Sequence, residues 1–194
     1  YLFSFNILNT LSSFAEAPLL SSGPKLSRTI ATGKIGRLKR IYSQKATQSQ
    51  LLLVGAATGV GVALPFALSF LEANANFLEP LPWAVLSTAF ILQRYIFVGL
   101  RLPALGNNVL FTKQISVASI VSCIVLAPAI WAFDFYGLVI AMFAPMIVAL
   151  NVRPFVVAAK MIDSNTRTFL FQTCGWAVGF YALLQAAIVY ASKQ

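Results

Sequence analysis

The stretch ISVASIVSCIVLAPAIWAFDFYGLVIAMFAPMIVALNV, Ile115–Val152, decides how the rest of the chain is read. It is apolar almost throughout, with one interruption at Asp134-Phe135-Tyr136-Gly137. A helix crossing a bilayer takes about 20 apolar residues, so the block is too long for one crossing and suits two short ones. An acid followed closely by glycine is turn chemistry. The stretch therefore predicts a helical hairpin, 115–133 out and 137–152 back. Lys113 stands just before it and Arg153 just after it. A hairpin puts both cations on one side of a membrane and Asp134 on the other.

Composition agrees with that reading. Of 194 residues, 59% are hydrophobic and 10% charged, and the mean hydropathy is +0.81. Fourteen basic and five acidic residues cannot supply the charged shell of a soluble core of this size. The expected fold is an all-α polytopic bundle of about five transmembrane helices over residues 51–194, preceded by a basic, largely extended arm over 1–50. The net charge is +9, and half of the basic residues fall between Lys25 and Lys45.

Outward from the hairpin, the neighbouring spans are expected at 51–71, 83–100 and 168–191. Gly55 with Gly59, and Gly175 with Gly179, form GxxxG pairs, a spacing that lets two helices approach closely. Both pairs are candidate packing faces. Pro65 lies within the first span, and Pro82 sits where the first turn of the second tolerates it. The second span carries Gln93 and Arg94. Arg94 has two readings: it snorkels to the headgroups, or it makes a buried ionic contact to another subunit or a lipid phosphate. Ser116, Ser119 and Ser122 line one face of the hairpin's first helix, as helix-packing positions do. Lys160, Asp163 and Arg167 suit a surface helix between the hairpin and the last span.

Sorting charges by side tests the span count. Five crossings put the arm's cations with Arg101, Lys113, Arg153, Lys160 and Arg167, and leave Lys193 with Glu72, Glu79 and Asp134. Trp83, Trp131, Phe133, Phe135 and Tyr136 then form an aromatic belt on the acidic side.

From Ala17 to Leu71 there is no acid, while Ser, Thr, Lys and Arg are frequent, which is the composition of organellar targeting segments. Residues 21–50 are read as a retained basic arm. Tyr1–Phe14 is apolar enough to dock on a neighbour or lie at the interface, but too short and polar to span. Lys34, Arg37, Lys39 and Arg40 suit either anionic headgroups or an acidic face of a partner subunit. Arg94, Arg101, Lys113, Arg153 and Arg167 join them as lipid or partner contacts. Nucleic acid does not suit the run, since Tyr42 alone gives no stacking platform.

No catalytic constellation is visible. The chain has no histidine, no CxxC and no Walker-type loop, and no two carboxylates share the middle of a span. Cys123 and Cys174 read as small apolar fillers of a helix-lined core. No metal or cofactor is expected beyond a structural phospholipid such as cardiolipin.

Residues 106–168 carry a Gly-containing loop, Lys113-Gln114-Ile115-Ser116 entering a helix with Pro128, a short turn, a second helix with Pro145, and an exit followed by Thr166 and Thr168. This third of the chain is similar to the two-helix membrane hairpin of a family of mitochondrial inner-membrane assembly factors for ATP synthase and respiratory complex I. The resemblance implies the mitochondrial inner membrane, with the basic arm in the matrix; a plastid membrane is the other address. The function expected is a non-catalytic accessory subunit of ATP synthase or a respiratory complex, acting in helix packing, lipid retention or dimer contacts. An assembly factor is the alternative, and a small carrier or channel the third, with Gln93 and Arg94 facing the serine row.

Overall fold

A computed structural model describes residues 2–70, 77–106, 111–150, 153–171, 179, 181 and 183–185. Among them the chain is helical and holds no strand: α1 Leu2–Ser21, α2 Gly23–Ala31, α3 Ile35–Phe70, α4 Pro80–Leu105, α5 Thr112–Leu150, α6 Arg153–Met161 and α7 Thr166–Leu170.

The hairpin forms where its turn chemistry placed it. α5 breaks at Asp134, whose backbone (φ 49°, ψ −125°) leaves the helical region. The limb 112–133 and the limb 135–150 then press together. A Cβ added to Gly137 would lie 1.8 Å from the carbonyl oxygen of Ala129, so only glycine lets the two backbones come this close. Further down, Ser122 and Met146 line one cleft between the limbs, and Ile115 packs in the cluster that contains Leu150. The limbs are antiparallel.

α4 is the axis of the bundle. α3 runs antiparallel to it, with Gly61 tight against the Trp83 indole at one end and the Tyr42 hydroxyl donating to the Val98 carbonyl at the other. The limb 135–150 runs parallel to α4: Phe143 meets Phe90 with ring centroids 5.1 Å apart, and Met146 meets Gln93 one turn later. α6 closes one end, with Phe155 stacked on Tyr95 at 4.3 Å and seated against Gly99.

Residues 1–50 are not an extended arm. α1 lies along α3, with Leu8 and Ala15 buried among Leu53, Val54 and Ala57. Its Ser4 hydroxyl accepts from the Leu78 N–H at one end of the bundle. Its Leu19 joins Leu38 and Tyr42 at the other end. Twenty residues at about 1.5 Å each span about 30 Å, so α1 runs the depth of the bundle beside the expected spans. The polar composition that argued against this is absorbed locally: Thr10 and Ser13 donate to the carbonyls of Asn6 and Asn9, four residues back. The described part of that segment, residues 2–14, thus docks on its own chain. α2 follows, with Pro24 in its first turn and Gly33 (φ +64°) ending it. Gly33 N–H bonds Ile30 O and Lys34 N–H bonds Thr29 O, a Schellman closure that turns directly into α3.

As far as the described residues reach, the spans expected at 51–71, 83–100, 115–133 and 137–152 fall on α3, α4 and the limbs of α5. The last, 168–191, lies largely outside the described residues, as does Gly175. By length and composition α3, α4 and α5 are able to cross a membrane. Their burial runs against their hydropathy: in the most apolar window of each, 56% of α4 is buried but 17% of α3 and 11% of α5, and α4 is the least apolar of the three. Apolar helices outside and the more polar one inside is the arrangement that a membrane location would favour.

Candidate functional site

The interior is polar at a few fixed points. Arg94 is 4% exposed. Its Nη1 lies 3.1 Å from Glu16 Oε2, and its Nη2 donates to the Ser12 carbonyl at 2.7 Å. Arg94 therefore neither snorkels nor waits for an outside partner; its buried ionic contact is to α1 of the same chain. That pairing escaped sequence reading because Glu16 belonged to a segment taken as lying outside the bundle. A second point joins Tyr181, whose hydroxyl donates to Ser87 Oγ at 2.6 Å, while Ser87 donates back to the Trp83 carbonyl.

Gln93, next in sequence to Arg94, faces the other way. With Ser119, Ser122, Cys123, Met142 and Met146 it lines a cleft of about 300 Å³ between α4 and the hairpin. The serine row thus meets Gln93 but not Arg94, and Ser116 stays exposed. Cys123 is exposed on the outer limb rather than filling a core; Cys174 lies outside the described residues. Among the described residues no three His, Cys, Asp or Glu side chains gather as a metal-binding group.

The cations collect at one end. Helix directions place Lys25, Arg28, Lys34, Arg37, Lys39, Arg40 and Lys45 there with Arg101, Lys113, Arg153, Lys160 and Arg167, while Glu79 and Asp134 lie at the other end. Glu72 and Lys193 lie outside the described residues. Within the basic pole the grouping differs from the expected run of four. Lys34 and Arg37 join Lys25 and Arg28 around a concavity of about 490 Å³ floored by Pro24, Thr29 and Thr32. Arg40 lines a separate hollow with Ser43, Gln44, Thr47 and Gln48, and Lys39 lines neither. Lys25 and Arg28 come in because the glycine corner folds α2 beside the start of α3. Arg101 reaches Gly23 at the start of α2; Lys113, Arg153 and Arg167 are exposed.

The GxxxG packing faces meet no neighbour among the described residues. Nothing described packs on Gly55 or Gly59: both are exposed, and a Cβ on either would meet nothing within 4 Å. The buried face of α3 carries Ala46, Ser49, Gln50, Leu53 and Ala57, and positions two residues from Leu53 and Ala57 point the opposite way. Gly179 is likewise open. The glycine that does admit a neighbour is Gly61, under Trp83. The aromatic belt divides too: Trp131, Phe133 and Tyr136 face outward, but Trp83 and Phe135 are buried in the core.

Comparisons of the chain with protein-family models, with curated proteins and with solved structures find no match.

Proposed function

We propose that the chain is a non-catalytic accessory subunit of an oxidative phosphorylation complex in the mitochondrial inner membrane, ATP synthase or a respiratory complex. It acts by helix packing, lipid retention or dimer contacts. The observation that carries the reading is where the polar groups go. Arg94, fully within the bundle, is neutralised by Glu16 and Ser12 rather than presented to a path or a site. The outer surface offers apolar helix faces, including the open Gly55–Gly59 side of α3, and a basic pole. Those are means of packing among other membrane helices. The acid-free tract from Ala17 to Leu71 supports the organellar address; a plastid membrane is the other.

Affinity purification of the tagged chain from mild detergent, with mass spectrometry of the intact assembly, tests the proposal. Stoichiometric recovery with other integral membrane subunits is the expected result. Recovery as a stable monomer with an activity of its own contradicts it. The resemblance of residues 106–168 to assembly-factor hairpins favours a second reading, transient association, in which the chain is absent from the finished complex. The Gln93 cleft favours a carrier role, which liposome flux compared between the native chain and Gln93→Leu decides.

A further inference from the structure

No acid among the described residues lines the basic concavity at the α2–α3 corner. Among the described residues the acids are Glu16, committed to Arg94, Glu79 and Asp134 at the opposite end, and Asp163 in the turn after α6. Lys25, Arg28, Lys34 and Arg37 are all exposed and line one hollow. Four like charges held this close repel one another unless an anion sits among them.

Their spacing says what kind of anion. Lys25 and Arg28 are three residues apart on α2 and share one helix face, while Lys34 stands just before α3 and Arg37 in its first turn, both lining the same hollow. The glycine corner sets the two pairs on either side of one hollow. The start of α3 adds the positive end of a 36-residue helix, and a Cβ on Gly36 would meet nothing within 4 Å, so the backbone there is open to a ligand. Thr29 and Thr32 supply floor rather than donors, because their hydroxyls already bond the Lys25 and Arg28 carbonyls. Beside the cations, Leu20 and Ile35 are exposed apolar side chains.

We infer that this corner is a binding site for an anionic phospholipid whose headgroup carries two phosphodiesters, one held by Lys25 and Arg28 and the other by Lys34 and Arg37. The pole lies where the apolar outer faces of the bundle end, which in a bilayer is the level of the headgroups. The inference rests on the membrane placement in the proposed function and not on membership of any complex.

Native mass spectrometry of the full chain in neutral detergent, titrated with cardiolipin, phosphatidylglycerol or phosphatidylcholine, tests it. Cardiolipin is expected to bind at least tenfold more tightly than phosphatidylcholine. Lys25→Gln/Arg28→Gln and Lys34→Gln/Arg37→Gln are each expected to weaken it tenfold or more. Lys39→Gln/Arg40→Gln, which removes the same charge from the next turn, should weaken it less than twofold. Circular dichroism of each variant checks that the helices persist. Equal losses in all three double variants would show diffuse attraction and overturn the site. Displacement of the lipid by inorganic pyrophosphate at equal concentration would assign the concavity to a soluble anion and overturn it too. A chain that needs no detergent to stay in solution would instead defeat the membrane placement, and a chain that binds cardiolipin but joins no complex would defeat only the subunit reading.

Discussion

α4 and the limb 112–133 of α5 are both apolar helices, yet they are built on opposite plans. α4 carries Ser87, Gln93 and Arg94, and buries Ser87 and Arg94. The limb carries Val117, Ile120, Val121, Ile124, Val125, Ile130 and Trp131, and exposes all of them, Trp131 to 91%. In water that arrangement would be upside down. In lipid it is the economical one: tails solvate the branched side chains of the limb, and α4 hides its polar groups against partners of the same chain. The difference between the two helices is thus what a lipid solvent would select.

Breaking the polar side of the comparison should cost most. Glu16→Ala leaves the Arg94 guanidinium buried without its counter-charge, with the Ser12 carbonyl as its remaining acceptor among the described residues. A loss of about 3 kcal/mol is expected, the low end for a broken buried pair because the Glu16 side chain is 36% exposed. Unfolding in a graded detergent mixture measures it, and Glu16→Leu/Arg94→Leu should recover most of the loss. Next comes the apolar side. Ile124→Lys, at mid-limb, should cost about 2.5 kcal/mol if lipid surrounds it and nearly nothing if water does. The same unfolding assay decides. Ser87→Ala, which takes one of two side-chain partners from the buried Tyr181 hydroxyl and leaves Gln185, is expected to cost about 1 kcal/mol. Smallest of all, Gly55→Ala should raise the stability of the isolated chain by about 0.5 kcal/mol, because its Cβ meets no described neighbour and alanine holds a helix better than glycine. The same change should reduce recovery of neighbouring subunits if that face packs against them.

How much of this was legible beforehand depended on whether a feature was local. The hairpin could be read because Asp134 and Gly137 are turn residues acting on their own neighbours, and the charge asymmetry because it needs only the order of spans. α1 was misread as an arm for a physical reason: Asn6, Asn9, Thr10, Ser12 and Ser13 look costly in a bundle, but the hydroxyls of Thr10 and Ser13 are satisfied by the helix's own carbonyls. The Arg94–Glu16 pair joins α4 to α1, far apart in the sequence, and no local pattern announces such a contact. The GxxxG spacing marks a groove on α3 but not its phase, which is set by Ser49, Leu53 and Ala57 meeting α1 and α4. The concavity combined two cation pairs that a linear run of charge could not separate from Lys39 and Arg40, since only the Gly33 corner brings α2 alongside α3.

One measurement goes straight to the reversed polarity of the two helices. With Cys123 and Cys174 replaced by alanine, a nitroxide is placed at position 124 of the chain reconstituted in liposomes, and its relaxation by oxygen is compared with that by a water-soluble nickel chelate. Oxygen, which concentrates in the hydrocarbon, is expected to dominate, as it must if the limb 112–133 faces lipid. Dominant relaxation by the nickel chelate would put that limb in water and contradict the account.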